Sequence, residues 1–234
     1  DLEIRYLANR DENLLFALVT DFRDADEEVK SGDDELVEAA ESGILELNKK
    51  YNYINNDKFF LFHRTRKWNP FEGVWMGYER KRGKLKHLNQ LLRGDKSEFS
   101  VIVGDERKYT SVKYVITLDT DTQLPKDAAW KMVGLMAHPL NIPIVEPGDM
   151  RVVEGFGIIQ PRLATSLSGA RRTYFSRMHE NDSGIDPYTR VVSDLYQDVF
   201  GEGSFIGKGI YDLDVFEKVI DDRFPENRIL SHDL

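Results

Sequence analysis

The sequence contains no cysteine, which excludes a disulfide framework and thiolate metal sites and fits a reducing compartment. It also lacks any uninterrupted apolar run approaching the roughly 20 residues that span a bilayer. Asp1 begins no recognisable signal peptide. These absences predict a soluble chain, and 234 residues suffice for one sizeable hydrophobic core, which we interpret as a single domain.

Positive charge is in short supply, with 32 Lys and Arg residues against 41 Asp and Glu residues. The resulting net charge of −9 argues against general affinity for nucleic acid. The charge is unevenly distributed, because residues 21–41 are strongly acidic and residues 63–96 strongly basic.

The most informative stretch is YVITLDTDTQLP at residues 114–125. Its β-branched and aromatic start predicts a buried strand that delivers Asp119 and Asp121 to its C-terminal end, where open α/β sheets bind ligands. Two carboxylates there suit Mg²⁺ or Mn²⁺, which in turn binds the phosphates of a nucleotide or nucleotide sugar. The alternative is an ordinary turn after a strand, because Asp and Thr are common turn residues.

Three more apolar stretches predict strands, at residues 14–20 (LLFALVT), 59–63 (FFLFH) and 156–162 (FGIIQPR). Asp21 and Asp24 follow the first strand closely enough to accept hydrogen bonds from a uracil or a ribose. A solvated acidic loop is the alternative for this segment. In the third stretch, Pro161 indicates an edge or a strand end.

Apolar residues at helical spacing predict core-facing helices. Their apolar positions are Leu36, Ala40, Ile44 and Leu47 in one helix, and Ala129, Met132, Val133 and Met136 in another. Ser31 or Asp33 is available to cap the first helix, and Pro125 is expected in the first turn of the second. A third helix is expected at residues 212–222.

Two glycine-containing segments are candidates for ligand contact. Gly83-Lys84 can place a backbone donor and an ammonium against a phosphate, whereas Lys81, Arg82 and Lys86 better fit a solvated helix face. Residues 201–209 (GEGSFIGKG) allow close backbone approach to a ligand, or form a turn. Near the chain's end, Asp233 follows a short apolar stretch and is either a catalytic carboxylate or part of a tail.

In this order, the motifs resemble the inverting GT-A glycosyltransferases, the group that includes cellulose and hyaluronan synthases. The chain is most similar to the glycosyltransferase domain of cyclic β-1,2-glucan synthases. The matching segments are LFALVTDF, WNPFEGVWMGYERKRGKLKHLN, YVITLDTDTQLP, GIDPYTRVVSDLYQDVFGEGSFIGKGIYD and FPENRILSHDL.

This resemblance implies roles for individual residues. Asp21 contacts the nucleoside, Lys84 lies near the diphosphate, Asp119 faces the ribose and sugar, and Asp121 ligates the metal. Asp233 is the general base, in Ser-His-Asp where the wider group has Thr-Glu-Asp. The Gln-x-x-Arg-Trp element that processive relatives place next is absent from the sequence.

The resemblance also implies an architecture, an activity and a location. The fold is α/β, a GT-A (Rossmann-like) mixed sheet flanked by helices, in one domain over residues 1–234 that is truncated at both ends. Its first strand, which would separate the strands ending in Asp21 and Asp119, is expected to be missing.

The implied partners are UDP-glucose, a glucan acceptor and the remaining domains and transmembrane segments of a parent synthase. That synthase lies at the cytoplasmic face of a bacterial inner membrane. Glucose leaves UDP with inversion and joins a growing β-1,2-glucan.

Two other functions fit parts of the sequence. Asp-x-Asp after apolar residues also fits the haloacid-dehalogenase-type phosphatases, where the first Asp is a covalent nucleophile. Those enzymes usually have Gly after the second Asp, where this chain has Thr122-Gln123. That motif, however, belongs on the first strand of its domain. The second alternative is a non-catalytic sugar- or nucleotide-binding module.

Overall fold

The computed structural model describes residues 1–51, 57–96, 98–148, 150–161, 174, 199–200, 205, 207–220, 223 and 225–227. The helices are α1 (Leu2–Ala8), α2 (Asp33–Tyr51), α3 (Arg80–Leu92), α4 (Glu106–Tyr109), α5 (Ala128–Met136) and α6 (Leu213–Ile220), with a 3₁₀ turn at Pro139–Asn141. The strands are β1 (Phe16–Asp21), β2 (Phe59–Arg64), β3 (Lys67–Asn69), β4 (Val74–Met76), β5 (Val101–Val103), β6 (Tyr114–Thr117), β7 (Ile144–Glu146), β8 (Arg151–Glu154), β9 (Ile158–Ile159) and β10 (Gly209–Asp212). Within these ranges no helix has the length and apolarity needed to cross a membrane.

One three-stranded sheet has the order β1-β2-β5. β1 and β2 are parallel, with α2 between them in the chain, and β5 runs antiparallel to β2. All six residues of β2 are buried, the four apolar residues at its start and also His63 and Arg64. The predicted helix is confirmed as α2, and Ala40, Ile44 and Leu47 face the sheet as expected. Leu36 is instead exposed, because it lies in the first turn, ahead of the part of α2 that covers the sheet.

The second three-stranded sheet is antiparallel, in the order β6-β10-β9. Its middle strand, β10, is fully buried and was not predicted, because residues 201–209 were interpreted as a loop leading directly into a helix. The predicted helix is α6, which begins at Leu213. Asp212 is the last residue of β10 and not the first residue of the helix. β9 pairs with β10 over two residues only, so the predicted strand at residues 156–162 is much shorter than expected.

A shared hydrophobic cluster joins the two sheets through α3. It contains Phe60 and Phe62 of β2, Leu88 and Leu91 of α3, and Val115 and Tyr211 of the second sheet. α5 covers the other part of the second sheet, where Met132 and Met136 pack on Ile210 as the methionine spacing predicts. Pro125 is not in the first turn of α5, because the helix begins only at Ala128.

The described strands agree with the expected α/β class, but β1 and β6 lie in two three-stranded sheets where one mixed sheet was expected. These two strands belong to different sheets, and residues 2–8 form helix α1 and not a strand between them. Two antiparallel hairpins, β3-β4 and β7-β8, complete the described strand pairings.

Candidate functional site

A cleft of about 210 Å³ lies where β1 ends and α3 begins. Acidic and basic side chains line it, among them Asp21, Asp24, Arg80, Lys81 and Lys84. Gly77 forms part of its wall and must be glycine, since a Cβ there would lie 2.5 Å from the Cβ of Asp21. The cleft is smaller than the roughly 300–1,000 Å³ of typical small-molecule pockets, so it suits one part of an extended ligand.

Asp21 and Lys84, both predicted site residues, meet in this cleft. The Lys84 ammonium lies 3.3 Å from Oδ2 of Asp21, whose side chain is only 10% exposed. Oδ1 accepts a 2.8 Å hydrogen bond from Nε of Arg64, which is almost completely buried. The parallel register of β1 and β2 sets Asp21 directly opposite Arg64, so the strand pairing itself creates this ion pair.

Arg64 also fixes the start of α3 relative to the sheet. Its Nη2 donates to the carbonyl oxygens of Tyr78 (3.2 Å) and Arg80 (3.3 Å), and its Nη1 lies 2.6 Å from Nδ1 of His87. A guanidinium is only a donor, so Nδ1 of His87 is the acceptor and the ring is neutral. Burial and the charge of Arg64 accordingly lower the pKa of His87. Glu98 Oε2, 3.4 Å from the same nitrogen, therefore faces a neutral ring and forms no ion pair with it.

Asp119 lies beside the cleft and is held by two lysines. Lys81 donates to Oδ1 of Asp119, and Nζ of Lys208 lies 3.1 Å from Oδ2. Burial raises the pKa of Asp119, but the hydrogen bonds from Lys81 and Lys208 outweigh it and leave the pKa below its usual value. The assignment of Lys81 to a solvated face was therefore wrong, because the first turn of α3 points this side chain at β6's C-terminal loop.

Arg5 of α1 holds the backbone of that loop. Its Nη2 donates to the carbonyl oxygens of Asp119 (2.8 Å), Thr120 (3.1 Å) and Thr122 (2.8 Å). No sequence pattern marks Arg5, since it is 114 residues from Asp119 in the chain. The loop that carries Asp119 and Asp121 is therefore held by a helix, α1, that is not part of the sheet to which β6 belongs.

Asp121 is exposed and does not join the other predicted residues. Its side chain has a long hydrogen bond, 3.4 Å, from Oγ1 of Thr122. In the described part of the chain, no three His, Asp or Glu side chains lie close enough to hold a metal ion. Mg²⁺ is commonly held by one or two carboxylates with phosphate oxygens and water, so Asp121 fits such an ion only together with a phosphate ligand.

Two predicted features lie outside this arrangement. Asp233 lies outside the described residues, as do residues 201–204 and 206 of the glycine cluster. A separate cleft of about 250 Å³, lined by Asn9, Asp127 and Trp130, contains none of the predicted site residues.

Two histidines near the site, His63 (buried) and His87 (half-buried), are expected to make the folded protein less stable in mild acid. Burial lowers the pKa of both His63 and His87, so the unfolded chain takes up protons first as the pH falls below about 6.5. We expect the free energy of unfolding to fall between pH 7 and pH 5, by at most about 1.4 kcal/mol per pH unit for each histidine. Urea titrations across this range measure it.

A matched pair of variants tests the cause. His87→Gln should flatten this pH dependence, because glutamine keeps an acceptor for Arg64 but does not titrate. Arg107→Gln, at an exposed arginine, should not change it. Equal slopes for wild type and His87→Gln would contradict the assignment.

Comparison with known proteins gives one informative match, and no protein-family model matches the chain. The match is the cyclic beta-(1,2)-glucan synthase NdvB of Rhizobium meliloti (strain 1021), which is 47% identical over 235 residues. The alignment includes all of this chain but only 8% of the length of the synthase. The chain is therefore related in sequence, over its whole length, to one segment of a cyclic β-(1,2)-glucan synthase.

Proposed function

We propose that this chain is the glycosyltransferase segment of a cyclic β-1,2-glucan synthase and that it transfers glucose from UDP-glucose to a growing glucan. The observation that carries the proposal is the 47% identity to a glucan synthase along the whole chain. Asp21 and Lys84 pair in the cleft at the end of β1, and Lys81 of the same cleft pairs with Asp119 after β6. This arrangement supports the proposal, because nucleotide ligands bind at such strand ends. The GT-A fold and the inverting mechanism are part of the proposal.

The donor is bound by residues from three elements. Asp21 receives hydrogen bonds from the nucleoside, Lys84 pairs with the diphosphate, and Asp119 accepts from the ribose or sugar. When bound, Mg²⁺ or Mn²⁺ on Asp121 supplies positive charge to the leaving diphosphate. Lys84, 24% exposed, is well placed to supply further charge from the cleft, because charges act more strongly where water is partly excluded.

Transfer then needs a base for the acceptor. The 2-hydroxyl of the acceptor glucose attacks the anomeric carbon on the face opposite UDP, the bond to the diphosphate breaks, and a β-linkage forms from an α-linked donor. Asp233 accepts the hydroxyl proton. In this proposal the chain works at the cytoplasmic face of a bacterial inner membrane, within a larger synthase that supplies its transmembrane segments.

Glucosyl transfer by the intact protein tests the proposal. Incubated with radiolabelled UDP-glucose, Mg²⁺ or Mn²⁺ and a β-1,2-glucan acceptor, it should lengthen the acceptor and release UDP. Calorimetry with UDP and UDP-glucose should show nucleotide-dependent binding. Hydrolysis of phosphoesters without transfer would instead identify a phosphatase, and glucan binding without nucleotide binding would identify a non-catalytic module.

Asp121→Asn should abolish Mn²⁺-dependent binding of UDP, because it removes the proposed metal ligand and leaves the ion pairs of Asp21 and Asp119 intact. Calorimetry at fixed UDP with increasing Mn²⁺ measures the dependence. Asp105→Asn, at a carboxylate whose partner is Arg107 on the surface, is the matched control and should bind as wild type does. Unchanged Mn²⁺ dependence in Asp121→Asn would remove this residue from the site.

A further inference from the structure

The ion pairs beside the cleft leave positive charge unbalanced. Within the described residues, the side chains of Arg64, Lys81, Lys84 and Lys208 contact only two carboxylates, those of Asp21 and Asp119. Asp21 and Asp119 each pair with two of these cations, so the cluster of six side chains carries an excess of two positive charges. Such an excess at a cleft attracts an anion with two or more negative charges.

Lys81 and Lys208 have no role in the proposed function, and Lys208 is the one of the two that reaches Asp119 from outside α3. We infer that Lys208 is a donor-binding residue, whose ammonium pairs with Asp119 until the diphosphate of a nucleoside diphosphate binds and supplies additional charged acceptors. The inference rests on the proposed function. To Lys84 of α3 it adds Lys208 as a second lysine that binds the diphosphate, on the opposite side of Asp119 from α3.

The hydrogen-bonding capacity of the cluster supports this role. Lys81 and Lys208 carry three donors each and share one carboxylate, although their side chains are only 23% and 17% exposed. Within the described residues, Asp119 is the one carboxylate that pairs with either ammonium, so both keep donors for a further anionic acceptor. Phosphate oxygens provide charged acceptors at the distances that lysine favours.

The backbone around Lys208 fixes where its side chain begins, next to Lys81 and Asp119. Gly207 has a φ of +76°, and a Cβ there would lie 3.2 Å from Nζ of Lys81, so glycine lets the two lysines approach. Lys208 directly precedes β10, the buried middle strand of the second sheet. Its position is therefore set by a rigid strand, as a binding residue requires.

Calorimetry of UDP and of inorganic pyrophosphate with the intact protein tests this inference. Lys208→Gln should weaken binding of both anions at least tenfold, the effect expected for losing a hydrogen bond from a charged group. It should also lower the salt dependence of binding, whereas Lys208→Arg should keep most of the affinity. Lys218→Gln, at an exposed lysine on α6, is the matched control and should bind as wild type does.

The outcomes separate this inference from the proposed function. Equal UDP binding by wild type and Lys208→Gln overturns the role of Lys208 and leaves the proposed function standing. Binding of pyrophosphate but not of UDP or UDP-glucose by the wild type, weakened in Lys208→Gln, keeps Lys208 as an anion ligand but rejects the proposed function. Binding of neither anion overturns both.

Chemical modification of the wild type provides a measurement that does not depend on the folding of a variant. An amine-acylating reagent, followed by mass spectrometry, should modify Lys208 less in the presence of UDP than in its absence. Lys218 should be modified equally in both conditions. Modification of Lys208 that is unaffected by saturating UDP overturns the inference.

Discussion

Replacing Arg64 by methionine is expected to lower the free energy of unfolding by about 3–5 kcal/mol, the cost of breaking a buried ion pair by removing one partner. Arg64 is 3% exposed and Asp21 is 10% exposed, so water replaces the lost guanidinium poorly. The variant also leaves the carbonyl oxygens of Tyr78 and Arg80 without this donor. Urea unfolding monitored by circular dichroism measures the loss.

An exposed ion pair in the same chain is the control. Arg107 pairs with Asp105 at the start of α4, and the Arg107 side chain is 88% exposed. Arg107→Met should cost at most about 1 kcal/mol, the upper range for surface ion pairs. If Arg64→Met and Arg107→Met lower the free energy of unfolding by similar amounts, the contacts of Arg64 do not stabilise the site as proposed.

Asp233→Asn in the intact protein should reduce glucosyl transfer by about 10²–10⁴-fold, the usual contribution of general-base catalysis. An amide cannot accept the proton of the attacking 2-hydroxyl. UDP-glucose affinity should stay nearly unchanged, because the proposed donor contacts come from Asp21, Lys84 and Asp119 on other elements.

Steady-state kinetics together with calorimetry separate these two effects. Asp214→Asn is the control, because Asp214 is an exposed carboxylate on α6 whose partner is Arg93. It should transfer glucose at the wild-type rate. If Asp233→Asn also transfers at the wild-type rate, or loses donor affinity as much as turnover, Asp233 is not the base.

Strand patterns were predictable where they were long or strongly apolar. The stretches at 14–20 and 59–63 became β1 and β2 within one or two residues of the predicted bounds, and residues 114–117 became β6. β10 was missed because its four residues follow a glycine-rich segment. It becomes the middle strand only through partners that lie far away in the chain, on β6 and β9.

The sequence by itself determined which carboxylates stand at the ends of strands, because a buried strand and the turn after it are read from neighbouring residues. It therefore placed Asp21 at the end of β1 and Asp119 just after β6. Only the tertiary structure decided what surrounds them: Arg64 and Lys84 at Asp21, Lys81 and Lys208 at Asp119, and Arg5 on the loop backbone. These contacts join residues that are far apart in the sequence and lie on separate elements. Which charged side chains pair is therefore set by the packing of helices against sheets and not by the spacing of residues along the chain.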